Sequence, residues 1–102
     1  MGQRKVTILD PATEEVARIA LFIEGKGLPE TAKKFVDKAF EFFDNLSDER
    51  VLHHPCKHLP WNLLHFRCAH FRKKYVVAYL DNTDEIIICD FALQKLLGST
   101  HK

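Results

Sequence analysis

Seven side chains able to ligate a metal or attack an electrophile, His53, His54, Cys56, His58, His65, Cys68 and His70, fall within eighteen consecutive residues. Neutral imidazole and thiolate are the ligands that zinc prefers. The spacing speaks against such a site: no Cys-x-x-Cys pair occurs, and strand alternation sends His65 and Cys68 to opposite faces. No metal site and no cofactor are therefore expected. A cysteine hydrolase has less support still, since nothing marks a thiol of lowered pKa or an ordered histidine partner.

Cutting RNA through its 2′-hydroxyl needs a base, cations around the crowded phosphate and an acid at the leaving oxygen. The chain offers His65 and Arg67 on one face of an expected strand, Arg72, Lys73 and Lys74 at the next turn, and Lys95 beyond the last strand. His65, Arg67, Arg72 and Lys95 make the candidate catalytic set. Lys57, Arg67, Arg72, Lys73, Lys74 and Tyr75 make the candidate surface for nucleic acid or another target. Each has a plainer reading. Tyr75 and Tyr79 suit a core whose hydroxyls are satisfied, the Arg72-Lys73-Lys74 run suits a solvated turn, and His65 with Arg67 suits the exposed side of an amphipathic strand.

Charge distribution adds a direction. Residues 1–50 carry eight Lys and Arg against ten Asp and Glu, whereas residues 51–102 carry seven against four, so the second half is the better contact for an anion. The whole chain of 102 residues has a net charge of only +1. That length suits one domain with one core, and an apolar fraction of 46% with 28% charged residues is ordinary for a globular protein. Three cysteines, Cys56, Cys68 and Cys89, are an odd number and argue against a disulfide framework, leaving Cys56 as a packed thiol. No apolar run approaches the roughly 20 residues that span a bilayer, and Met1-Gly2-Gln3-Arg4-Lys5 leads into a strand and not a signal-peptide core, so a cytoplasmic location is expected.

The elements that must position these groups follow from periodicity. Val6 to Leu9 reads as a strand, and Asp10-Pro11 supplies a cap and a first turn for a helix. Val16, Ile19, Ala20 and Ile23 form that helix's apolar stripe, and Gly25-Lys26-Gly27 stops it. Pro29 opens a second helix with a stripe of Ala32, Phe35, Val36, Ala39, Phe42, Phe43 and Leu46. The short link predicts an antiparallel hairpin laid across a sheet. Residues 47–60 read as an irregular connection. From Leu63 onward a strand is expected, with Leu64, Phe66 and Cys68 on one side; Tyr75–Leu80 and Ile86–Phe91 follow as a hairpin. Three isoleucines in a row, apolar on both faces, place the last strand inside the sheet or under a cover on its far side. Ala92–Leu97 closes as a short helix and Gly98–Lys102 as a frayed end.

Strand, two helices, irregular connection and three-stranded meander is a layout that resembles the RelE/ParE superfamily of bacterial toxins. The stretch Leu28-Pro29-Glu30-Thr31-Ala32-Lys33-Lys34-Phe35-Val36-Asp37-Lys38 is similar to the second-helix segment of ParE-like toxins and their plasmid-stabilisation relatives. Lys74-Tyr75-Val76-Val77-Ala78-Tyr79 followed by Asp84-Glu85-Ile86-Ile87-Ile88 resembles that family's central hairpin. The resemblance runs from about Val6 to Lys95. It implies a single α+β domain over residues 1–102, with an N-terminal strand and an antiparallel helix hairpin packed on a mainly antiparallel, three- to four-stranded twisted sheet.

The same resemblance implies a type II toxin that inhibits growth, is neutralised by a cognate antitoxin protein, and acts on ribosome-bound mRNA or on DNA gyrase. The chain departs from the cleaving branch at Val76, where that branch has an arginine, and at Phe91-Ala92-Leu93-Gln94, where a His or Arg cluster is common and Lys95 is the only cation. Three functions stay open: a non-cleaving toxin that acts through a binding surface on gyrase or a related target, an mRNA endonuclease with a rearranged basic site, and a degenerate member that only binds its antitoxin. A homodimer or a hetero-oligomer with the antitoxin is compatible with each, and no membrane contact is expected.

Overall fold

Val6 and Ile8 lie opposite Ile86 and Ile88 in parallel register, so the first strand of the chain is the outer neighbour of the last. The computed structural model describes residues 4–48, 53–57 and 59–97. Its elements are β1 (Lys5–Ile8), α1 (Asp10–Gly25), α2 (Pro29–Asn45), β2 (Arg67–Phe71), β3 (Tyr75–Asp81), β4 (Glu85–Leu93) and α3 (Gln94–Leu97). The sheet order is β1-β4-β3-β2, antiparallel except for β1 against β4. The expected α+β fold is the one observed, with β4 inside the sheet, one of the two placements its isoleucines allowed. Of the expected features, His58 and the end 98–102 lie outside the described residues.

Helix α1 begins without the side-chain cap expected of Asp10. Leu9 occupies the cap position and Asp10 is already helical, where its carboxylate complements the helix dipole beside Pro11. Gly27, at φ 84°, turns the chain into α2, and Pro29 sits in that helix's first turn. Ala32, Phe35, Ala39 and Phe43 are buried along α2, while Ala12 and Val16 are the buried residues of α1.

Both helices cover one face of the sheet. There Phe35 meets Tyr75 at 5.4 Å, Tyr75 stacks on Phe91 at 5.3 Å and Phe43 meets Phe91 edge-on at 5.8 Å. Ile86, Ile88 and Phe91 all join this core although plain alternation would turn Phe91 away. The register explains it: Tyr79 pairs with Ile88 and Ala78 with Asp90, so Cys89 is the extra residue of a β-bulge that resets the pleat. Cys89 is a buried free thiol, and burial pushes its pKa up.

The opposite face carries a second, smaller cluster of Cys56, Trp61, Val76 and Ala78. The connection after α2 makes it, and two expectations fail here. The strand expected from Leu63 begins only at Arg67, because residues 59–65 form successive turns in which Leu63 and Leu64 donate to the Pro60 carbonyl and Phe66 donates to that of Trp61. Leu63 and Leu64 are exposed in consequence, and His65 adopts φ 63°. Cys56, expected as a packed thiol, forms a disulfide with Cys68. The cause is pairing outside the regular sheet: Cys56 N–H donates to Phe66 and Cys68 N–H to His54, which brings the two Cα atoms to 4.9 Å. An odd cysteine count excludes complete pairing and says nothing against one pair.

Candidate functional site

The uncovered face is where the histidines gather. Residues 53–57 run along the outer edge of β2, with Pro55 opposite Arg67, and the disulfide fixes them there. Because Ala69 and Phe71 point into the helix-covered core, His70 projects on the other side. The result is a cavity of about 380 Å³ lined by His53, His54, Pro55, Lys57, Cys68, His70, Val76 and Gln94. Among the described residues no group of three His, Cys, Asp or Glu is placed to hold a metal ion. The cysteines nearest the histidines are joined to each other, so no thiolate is offered there.

His53 Nδ1 lies 3.0 Å from the hydroxyl of Tyr79, a side chain 1% exposed. Burial raises the Tyr79 pKa and keeps the phenol protonated. Burial, with the nearby charges of His70, His54 and Arg67, lowers that of His53. A protonated phenol and an imidazole nitrogen share one hydrogen bond here, whose direction follows the imidazole tautomer. The plainer reading of Tyr79 as a core tyrosine with a satisfied hydroxyl therefore holds.

The candidate catalytic residues do not converge. Arg67 Nη1 donates to the His53 carbonyl at 2.6 Å, and its Nε lies 3.6 Å from Asp81. Its guanidinium is a strut between the edge segment and β3. Asp81 also pairs with Arg4, which donates further to the carbonyls of Asn82 and Ser47; sequence reading gave Arg4 no such role, and no local motif marks it. Arg72 lies beyond the other end of β2 from His65, a strand of roughly 13 Å from first to last Cα. His65 is exposed in a turn and not on a strand face beside Arg67, and Lys95 is exposed in α3.

Arg72, Lys73 and Lys74 form the β2–β3 turn, closed by Lys74 N–H to the Phe71 carbonyl. Arg72 and Lys73 have φ of 57° and 61°, a pair that hairpins usually fill with Asn-Gly. The Arg72 guanidinium covers the rings of Phe71 and Phe35 at 5.3 and 5.9 Å. Lys73 and Lys74 are exposed. Tyr75 is at the core, where burial raises its pKa and nearby Arg72 opposes the rise. Of the expected binding set, Arg72, Lys73, Lys74 and Tyr75 are thus adjacent, whereas Lys57 lies in the histidine-lined cavity and Arg67 at the edge strut.

The turn also closes one end of a groove of about 570 Å³, lined by Ile19, Phe22, Tyr75 and Leu93 with Glu15, Arg18, Leu21 and Lys74. Leu21 and Phe22 are 67% and 65% exposed. Sequence reading missed this groove because neither residue belongs to the stripe that packs on the sheet. Among the described residues no helix is long and apolar enough to cross a membrane.

Three comparisons bear on this architecture. The sequence profile described as "ParE toxin of type II toxin-antitoxin system, parDE" matches residues 6–95. A solved structure described as "Chromosomal ParDE TA system from P. aeruginosa" superposes with a TM-score of 0.74 at 16% identity, over 91% of this chain and 98% of that one, which is a likeness of fold. No curated protein is similar enough to count as a match.

Proposed function

From the premise that this chain belongs to the ParE toxins of type II toxin–antitoxin systems, we propose that it acts by occupying a protein target, with DNA gyrase the target its family implies, and not by cutting RNA. The observation that carries this reading is the scatter of the groups a ribonuclease would bring together. Arg67 is consumed as a strut, Arg72 rests on aromatic rings, and His65 lies at the far end of β2. Acid–base work on one phosphate needs its groups within hydrogen-bond reach of one point.

The cognate antitoxin takes the groove beside α1. An amphipathic helix can lay its apolar side on Phe22, Leu21, Tyr75 and Leu93, while acidic residues at its flank meet Lys74 and Arg18. Exposed apolar side chains in one groove mark an interaction site more often than a surface left bare. The toxin and its antitoxin are read as cytoplasmic partners.

Induced expression is expected to arrest growth, and co-expression of the antitoxin to relieve the arrest. Leu21→Glu with Phe22→Glu should abolish capture by the antitoxin. Arg67→Ala with Arg72→Ala should leave mRNA untouched, as in the parent. Loss of an mRNA-cutting activity on the second pair of substitutions would support the endonuclease instead. Antitoxin capture with no growth arrest would identify a member that only binds its partner.

A further inference from the structure

The cavity on the uncovered face has a chemistry that target occupation and antitoxin binding leave unused. Its polar lining is His53, His54, Lys57, His70 and Gln94, above a floor that includes Cys68 and Val76. Among the described residues no carboxylate lines it. Lys57 brings an ammonium to it, and the Arg67 guanidinium stands on the His53 carbonyl at 2.6 Å. From β3, Tyr79 faces His53, and Asp81 is taken up by Arg67 and Arg4. A concave, positive and partly apolar pocket with imidazole, ammonium and amide donors is built for an oxyanion.

We propose that this cavity binds a phosphate group, as free phosphate or as the phosphate of a mononucleotide, through Lys57, His54 and His70, with the Gln94 amide as a further donor. The volume of about 380 Å³ lies within the roughly 300–1,000 Å³ typical of small-molecule sites. His53 is held at the rim of the cavity by its contact with the Tyr79 hydroxyl, 3.0 Å from Nδ1. Pairing with β2 and the Cys56–Cys68 bond hold residues 53–57 in place before any ligand arrives, so little ordering accompanies binding. The proposal is independent of which protein the toxin targets.

The test is an amide NMR titration of the full chain with inorganic phosphate and, separately, with adenosine monophosphate, at pH about 7, where the nucleotide phosphate is largely dianionic. Expected is single-site saturation with shifts centred on residues 53–57, His70 and Gln94. His54→Ala and Lys57→Ala alter exposed side chains and should each weaken binding about tenfold while the remaining spectrum is preserved. Lys34→Ala, on the exposed side of α2, should leave the affinity unchanged. Saturation by the nucleotide at lower concentration assigns the site to nucleotides, and equal affinities assign it to phosphate itself. Absence of saturation by either anion, shifts centred on Arg72–Lys74, or undiminished binding by Lys57→Ala would overturn the proposal.

Discussion

The two faces of this sheet are built from the same strands and do different work. β3 sends Tyr75, Val77 and Tyr79 to the helix-covered side and Val76 and Ala78 to the other. On the covered side aromatic rings from α2, β2, β3 and β4 interlock, and Phe35, Phe43 and Phe91 are at most 1% exposed. The open side has a cluster of four buried residues, held by a connection that has no regular secondary structure and is tied down by one disulfide. The difference teaches where each kind of residue is tolerated. Among the described residues, interlocked rings leave the covered side no buried titratable group but phenols that stay protonated and the Cys89 thiol, so the histidines collect where packing is thin.

The contrast can be broken at either face. Phe43→Ala should cost the most, about 4 kcal/mol in denaturant unfolding, because a fully buried ring leaves a cavity between α2 and Phe91. Opening the disulfide by Cys56→Ser should cost roughly 3 kcal/mol, the chain-entropy value for a crosslink spanning twelve residues. A reductant that opens the bond should produce a comparable loss in the parent. In hydrogen exchange the disulfide variant should lose protection at residues 53–57 before β3 and β4 respond, whereas Phe43→Ala should lower protection throughout. Equal loss of protection in both variants would contradict the division of labour.

Smaller effects sharpen the same picture. Lys73→Gly should stabilise by about 1 kcal/mol, since a side chain at φ 61° is strained and glycine is not; an unchanged unfolding midpoint would contradict it. The smallest effect is that of His53. Its folded pKa is depressed, so the unfolded chain binds a proton more readily, and the stabilisation is present above about pH 6.5 and lost as pH falls through the folded value. Thermal unfolding of the parent should therefore weaken between about pH 7 and pH 5 more steeply than that of His53→Asn.

How much of this was legible depended on whether local pattern or pairing made the decision. The helices, β1 and the β3–β4 hairpin followed from stripes and β-branched runs, because each buries a side against a large apolar neighbour. Three features did not. The start of β2 was hidden because Leu64, Phe66 and Cys68 read as alternating, yet turns onto Pro60 and Trp61 claim that backbone first. The bulge at Cys89 left no mark among Ile86, Ile87 and Ile88. The disulfide needed the edge pairing of residues 54–56 with 66–68, which no periodicity encodes. The candidate site was legible in residue types and not in assembly. The histidines were visible as neighbours in sequence with no metal spacing, but the meeting of His53, His54 and His70 around Lys57 and Gln94 depended on that pairing, while His65 and Arg72 were separated by the length of β2.

The most direct test of the central claim, that this toxin works by occupying a protein, is a titration of the purified chain against DNA gyrase in a supercoiling assay, with ribosome-bound mRNA followed in a parallel reaction. Occupation predicts inhibition of supercoiling that rises with the ratio of toxin to gyrase and is reversed by the antitoxin, with the mRNA intact. Undisturbed supercoiling, with mRNA cut by amounts of toxin far below those of the ribosomes, would contradict it.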